Sequence, residues 1–167
     1  MIPVQSQSVN RTIGGATLAL LLAIGAGQAQ NTTPFNALAG AWSGQGTIDL
    51  STAREPIKCR AAYDVLEDNS SLQLNIRCAS DSYNFDLRAN AKYAGGSISG
   101  SWSESTRNAA GTISGKAQGD RFHVVATGPT FTADLTLVTR GNKQSVTIKS
   151  QDDKSSVKGV SMTLQRN

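Results

Sequence analysis

Apolar and polar positions alternate with a period of two along most of this 167-residue chain. The alternation runs through ten segments separated by short turn-forming clusters: 41–50, 56–66, 71–79, 82–93, 97–105, 111–118, 121–127, 130–139, 143–151 and 156–165. This pattern predicts half-buried β-strands rather than helices. The segment 34–38 is predicted as a short N-terminal helical turn. The pattern therefore predicts an all-β protein whose strands follow one another as a meander.

The two cysteines of the chain predict the register of the second and third strands. Folding the chain back within 67–70 sets Val65 opposite Leu72 and Cys59 opposite Cys78. Because side chains alternate along a strand, all four residues then share one face. Directly opposed antiparallel residues are close enough for a disulfide in either phase of the ladder. We therefore predict a Cys59–Cys78 bridge whose sulfurs point into the core.

The apolar face continues through the later hairpins of the meander. It is preserved at three turns, at 95–96, 119–120 and 141–142. At the turn after Gly128, the pattern sets Ala126 opposite Phe131. In the last hairpin Val157 is out of phase with the residues that follow it, which predicts a β-bulge near Gly159.

About ten short antiparallel strands in sequence order, each with one apolar face, leave two edges that must be protected. Closure into an antiparallel up-and-down β-barrel removes both edges. We therefore predict such a barrel. A two-sheet sandwich is the structural alternative.

The first 29 residues have the composition of a secretory signal peptide. Arg11 precedes an apolar run at 13–24, and the small residues Gly27 and Ala29 follow it. The run is shorter than the roughly 20 residues that a membrane span needs. We predict cleavage before Gln30, a single domain at 30–167, and a periplasmic or extracellular location in bacteria, where a disulfide is stable. An uncleaved anchor or a buried helix is the alternative.

The charge of the chain is modest. Sixteen basic residues face twelve acidic ones, which does not indicate a nucleic-acid-binding protein. The length is sufficient for one domain with a core of its own, and we expect a monomer.

Gly40-Ala41-Trp42 at the start of the first strand resembles the Gly-x-Trp of the calycin barrels, the lipocalin, fatty-acid-binding and nitrobindin-like group. In that group a basic residue near the last strand commonly covers the tryptophan at the closed end of the barrel, and Arg166 is the residue in that place here. The chain also resembles small exported bacterial proteins of unknown function. The resemblance implies a β-barrel whose lumen binds a small apolar ligand. A haem role of the nitrobindin kind needs an axial ligand inside the barrel, and the only histidine, His123, is predicted to face outwards.

The predicted inner face suggests where such a ligand would lie. Its candidate lumen residues are Tyr63, Tyr83, Ala91, Tyr93, Gly100, Trp102, Gly115 and Ala133. Extending the strand pairings predicts one row of small residues: Ala91, Gly100, Gly115, Val124, Ala133 and Ser150. Such a belt either leaves space for a ligand or receives large side chains from across the barrel, which would give a filled core. If the space is real, Gly115→Phe should block it without unfolding the barrel.

No set of residues on the predicted inner face indicates catalysis. Glu104 and Asp134 are predicted to face outwards, and the inner face carries no acid–base pair, activated nucleophile or metal-ligand cluster. We therefore expect no enzymatic activity, no cofactor and no metal.

The outer face carries a cluster of three basic residues, Lys58, Arg60 and Arg77, beside the cysteines. Arg60 is predicted to lie directly opposite Arg77, which is unfavourable unless something compensates the charge. Asp86 on the next strand is one compensating group, and a bound anion is another. The alternative function is therefore an envelope interaction protein with a filled core, which uses this patch to contact a protein or an anionic glycan or lipid.

Overall fold

In a computed structural model, the chain is described over residues 32–129 and 131–167, and the predicted signal segment 1–29 lies outside these residues. The described part contains a 3₁₀ turn at Pro34–Ala37 and ten strands. The strands are β1 (Gly40–Leu50), β2 (Arg54–Val65), β3 (Ser71–Ala79), β4 (Asn84–Ala94), β5 (Ser97–Glu104), β6 (Ala109–Gln118), β7 (Arg121–Gly128), β8 (Phe131–Arg140), β9 (Lys143–Ser150) and β10 (Val157–Arg166).

The ten strands form one closed antiparallel barrel. Each strand pairs with its neighbours in sequence, and β1 pairs with β10 to complete the circle. The predicted up-and-down barrel is confirmed, and the sandwich alternative is wrong because a sandwich would leave β1 and β10 unpaired with each other. Turn residues keep the strands short, since Asn69 and Gly141 adopt φ values of 54° and 57° that reverse the chain within a few residues.

The register of β2 and β3 agrees with the prediction made from the cysteines. Cys59 lies opposite Cys78, and Val65 lies opposite Leu72. The predicted irregularity near Gly159 is also confirmed. Asp49 pairs with Gly159 but the next residue, Leu50, pairs with Val157, so β10 carries one extra residue at this point.

Two predicted pairings are wrong by two residues. Ala126 lies opposite Ala133, because only residues 129 and 130 separate β7 from β8. Gly100 lies opposite Ile113 rather than Gly115, because β6 begins at Ala109, two residues earlier than predicted. An error of two residues leaves every side chain on its predicted face. The row of small residues is nevertheless interrupted by Ile113.

Five inward-facing glycines occupy positions where neighbouring strands come too close for a side chain. A Cβ atom at Gly115 would lie 2.1 Å from the carbonyl oxygen of His123, and one at Gly100 would lie 1.9 Å from that of Asn90. The same holds at Gly44, Gly46 and Gly111. These glycines therefore allow the strands to bend around the barrel. This geometry argues against the expectation that Gly115→Phe would preserve the fold.

Candidate functional site in the barrel interior

One end of the barrel is closed by the N-terminal turn and by the first and last strands. Phe35 from the 3₁₀ turn is buried, stacks against Phe122 and meets Tyr93 edge-on, with ring centroids 6.1 Å apart in each pair. Phe35 thus fills the interior at this end, which we call the closed end.

Trp42 is fully buried beside this plug. Its Nε1 donates to the carbonyl oxygen of Leu38 at 2.7 Å, and the guanidinium of Arg166 lies 4.3 Å from its ring centroid. Arg166 also donates to the carbonyl oxygens of Ala37, at 2.8 Å, and Ala39. The side chain of Arg166 therefore joins β10 to the segment that enters β1.

A buried polar chain crosses the interior near the closed end. The hydroxyl of Tyr63 donates to Oε1 of Gln144 at 2.7 Å, and Nε2 of Gln144 donates to Oγ1 of Thr139 at 3.2 Å. Gln144 has no exposed surface, and burial raises the pKa of Tyr63. The hydroxyl of Tyr63 is therefore engaged by protein, and it is not free for a ligand. No signal in the sequence predicts this set of hydrogen bonds, because Tyr63, Gln144 and Thr139 lie on three different strands.

The opposite half of the interior has a different character. It is bounded by the turns at 51–53, 80–83, 105–108 and 151–156 and by Pro129, and we call it the open half. Here eleven apolar inward-facing side chains keep part of their surface exposed, whereas others, such as Trp102 and Ala133, are buried. They are Leu50, Leu74, Phe85, Leu87, Ala89, Ile113, Ala126, Phe131, Leu135, Ile148 and Val157. Three polar side chains also face inwards at this end: Glu55, Glu104 and Ser150. An inward side chain in a closed barrel keeps exposed surface where the interior is incompletely filled.

The remaining predicted lumen residues are distributed over both halves. Ala91 is buried near the closed end and Ala133 towards the open half, whereas Tyr93 packs edge-on against Phe35. Tyr83 lies in the β3–β4 turn, where its ring is covered by the guanidinium of Arg107 at 3.8 Å. The three candidate lumen tyrosines therefore do not share one site.

Trp102 forms part of the wall of the open half. Its indole lies over Gly111 and Gly128, where a Cβ atom would come within 2.8 Å and 3.0 Å of the ring, and it meets Phe131 edge-on. Trp102 Nε1 is buried and has no hydrogen-bond acceptor among the described residues. The two glycines thus make room for a large aromatic side chain that has no polar partner there.

The prediction that Glu104 faces outwards is wrong. Glu104 follows Trp102 by two residues on β5, so both face inwards, and Glu104 is 8% exposed. Its carboxylate accepts hydrogen bonds from the backbone nitrogens of Asp86, Thr106 and Arg107 and from the Thr106 hydroxyl. Burial opposes its ionisation, but these hydrogen bonds together hold its pKa below the ordinary value. Glu104 therefore organises the β5–β6 turn at the open end.

The outer face shows the predicted basic cluster in a defined arrangement. Arg60 lies directly opposite Arg77, and Arg77 lies directly opposite Asp86, with 2.8 Å between its Nε and the Asp86 carboxylate. The two cysteines next to the arginines are joined by a disulfide, with Cα atoms 4.1 Å apart and both side chains buried. His123 is exposed on the outer face, opposite Thr136.

Residues 32–129 and 131–167 contain no group of three or more His, Cys, Asp or Glu side chains arranged to hold a metal ion. No helix among them is long and apolar enough to cross a membrane.

Comparison with known proteins shows relatives in fold rather than in sequence. No protein-family model and no curated protein matches the chain. Rv2717c from M. tuberculosis shares 12% identity, with a TM-score of 0.65 over 82% of this chain and 99% of that one. The S-type phycobiliprotein lyase CPES from Guillardia theta shares 14% identity, with a TM-score of 0.56 over 80% of this chain and 90% of that one. The chain therefore has the fold of a calycin-like barrel.

Proposed function

We propose that this protein binds a small apolar molecule in the open half of its barrel and does not transform it. One observation carries the proposal: eleven apolar inward-facing side chains of the open half keep exposed surface although the barrel is closed. Apolar surface that remains accessible inside a barrel favours a ligand that removes it from water. The filled-core alternative predicts that the same side chains would be buried.

The chemistry of the interior supports an apolar ligand in particular. Two carboxylates face inwards at this end, and both are occupied by hydrogen bonds: Glu55 accepts from Ser80 and Ser82, and Glu104 accepts from Asp86 and the β5–β6 turn. Arg166 is engaged with Trp42 and backbone carbonyls at the closed end. An ionised ligand head group would therefore find no free partner among these residues inside, whereas an apolar body would contact Leu74, Ile113 and Leu135.

We further propose that binding takes place after export. The 1–29 segment has the composition of a signal peptide, and a disulfide between Cys59 and Cys78 suits an oxidising compartment. One of the two similar barrels is named a lyase, so the fold alone does not decide against a reaction. The assignment of binding without catalysis rests on the apolar character of the interior.

The proposal is tested by substitutions that enlarge side chains inside the open half. Ala89 and Ala126 face the interior and are partly exposed, so Ala89→Leu with Ala126→Leu adds apolar volume where we place the ligand. Ala110→Leu is the matched control, because Ala110 is exposed on the outer face. The probe is N-phenyl-1-naphthylamine, a neutral dye that fluoresces in apolar surroundings. We expect the double variant to lose at least tenfold in affinity and the control to be unchanged.

The stability of the same variants separates the two interpretations of the interior. In an open lumen the added leucine side chains fill empty space, and the free energy of unfolding should stay equal or rise. In a filled core they would overpack it and cost about 1–3 kcal/mol each. Destabilisation by the double variant, together with unchanged dye binding, would refute the proposal. If the proposal holds, native mass spectrometry after gentle purification identifies the natural occupant.

A further inference from the structure

A groove of about 1130 Å³ runs along the outer face of β1–β4, on the opposite side of the wall from the barrel interior. Two short side chains, Ala62 and Ala79, lie between longer ones and leave the groove its depth. The wall beneath it is crossed by the disulfide that joins β2 to β3. The groove is therefore separate from the lumen. An inference about the groove does not depend on the ligand binding that we propose for the lumen.

The groove holds more positive than negative charge. Lys58, Arg60 and Arg77 line it, and Asp86 is the only carboxylate among the described residues that do so. Asp86 pairs with Arg77, whereas Arg60 and Lys58 form no ion pair within the described part of the chain. Both are exposed. The groove thus offers two uncompensated cations to solvent.

The pairing of the strands holds like charges together in this groove. Arg60 is directly opposite Arg77, an arrangement that is unfavourable between strands. The Cys59–Cys78 bridge lies one position away and fixes the two strands in this register. Since Asp86 compensates only one arginine, an external anion would relieve the remaining repulsion.

The other side chains along the groove indicate what kind of anion fits. The uncharged polar ones are amides and hydroxyls, namely Ser43, Gln45, Asn75, Asn84, Thr106 and Asn167, and the apolar ones on the outer face are short: Ala41, Ala62 and Ala79. Protein partners are usually held by large aromatic or aliphatic anchors, and membrane surfaces by exposed apolar side chains. Leu66 is the only large hydrophobic residue exposed among the described residues, and it does not line the groove. A partner rich in hydroxyl groups and negative charge matches this lining better than a protein or a membrane.

We infer that the groove binds an acidic glycan, with sugar hydroxyls on the amide side chains and carboxylate or sulfate groups on Arg60, Lys58 and Arg77. Amides exchange donors and acceptors with hydroxyls, and guanidinium groups bind carboxylates through paired hydrogen bonds. The volume of the groove exceeds what a single small anion would fill, which favours a chain of several sugars.

The experiment measures the affinity of the folded protein for polygalacturonate oligosaccharides by calorimetry at low salt, with neutral dextran oligosaccharides as the uncharged comparison. We expect Arg60→Ser with Arg77→Ser to weaken the affinity for polygalacturonate at least tenfold. The matched control, Lys92→Ser with Lys116→Ser, removes the same charge from exposed positions outside the groove and should change it less than twofold. Because Arg60 has no ion pair, Arg60→Ser alone should account for most of the loss without leaving Asp86 unpaired.

Several outcomes would overturn the inference. If the groove variant and the control lose the same affinity for polygalacturonate, the attraction is to net charge alone. The same conclusion would follow if the unmodified protein bound single-stranded DNA of the same length and charge as tightly as polygalacturonate. Undetectable binding of polygalacturonate to the unmodified protein would also refute it. The dye assay of the lumen is run on the same variants. Dye binding should be unaffected by the groove substitutions. The two assays therefore distinguish a wrong inference about the groove from a wrong proposal about the lumen.

Discussion

The guanidinium of Arg166 lies 4.3 Å from the ring centroid of Trp42, in the place where the last and first strands of the barrel pair. The same side chain donates hydrogen bonds to the carbonyl oxygens of Ala37 and Ala39. One side chain thus connects the C-terminal strand, the N-terminal turn and the buried tryptophan. The barrel is closed by pairing of β1 with β10, so contacts at this seam contribute to closure of the whole sheet.

Replacing Arg166 should therefore destabilise the barrel. Arg166→Met keeps most of the alkyl chain over Trp42 but removes the cation and its hydrogen bonds, and we expect a loss of about 1–3 kcal/mol. This loss in the free energy of unfolding is measured by denaturant titration, with tryptophan fluorescence as the signal. Gln165→Met, on the exposed face of the same strand, is the control. An unchanged midpoint for Arg166→Met would mean that the end of β10 frays in solution.

Removing the disulfide should lower stability while leaving the barrel folded. The two cysteines are 19 positions apart, and cross-linking a loop of this size contributes about 3 kcal/mol in the chain-entropy model. We expect Cys59→Ala with Cys78→Ala to unfold at a lower urea concentration and to be insensitive to reductant. The unmodified protein should approach the same midpoint when reduced. Identical midpoints with and without reductant in the unmodified protein would contradict this.

The sequence was sufficient to predict the strands because turn residues and alternation are local signals. Every predicted strand is present with ends within two residues, and the cysteine pair set the register between β2 and β3. The orientation of Glu104 is also a local signal, because the alternation that places Trp102 inside places Glu104 there too. Backbone nitrogens of the β5–β6 turn satisfy its carboxylate at that inward position.

Other features could not be predicted because they depend on distances between strands that are remote in sequence. Tyr63 and Gln144 are 81 positions apart, and nothing in the period of either strand indicates that they meet. The extent of filling of the open half depends on how far the glycine-bent strands curve. The outer groove likewise depends on which short side chains the strand register sets among longer ones on β1–β4.

Adding a methyl group at Gly115 should disrupt the wall of the barrel. A Cβ atom there would lie 2.1 Å from the His123 carbonyl oxygen and 2.7 Å from the Val124 Cα atom, both of which are backbone atoms that cannot rotate away. We expect Gly115→Ala to cost about 1–3 kcal/mol, measured by thermal or urea unfolding. Ser114→Ala, on the outer face of the same strand, should be within about 0.5 kcal/mol of the unmodified protein. Equal stability of the two variants would show that β6 can separate from β7 without cost.

The contribution of Glu104 to stability should depend on pH in a defined direction. Burial disfavours the carboxylate, but hydrogen bonds from Thr106, Asp86 and Arg107 outweigh it, so the pKa of Glu104 in the folded protein is lowered. A lowered pKa means that the stabilisation is fully present above the pKa of the unfolded chain and is lost as the pH falls through the folded value. Glu104→Gln places an amide among several donors and should cost about 1–3 kcal/mol at neutral pH.

The unfolding free energies of the two proteins should converge as the pH is lowered from about 5 to about 2. A difference that stays constant over this range would mean that the carboxylate charge does not stabilise the β5–β6 turn.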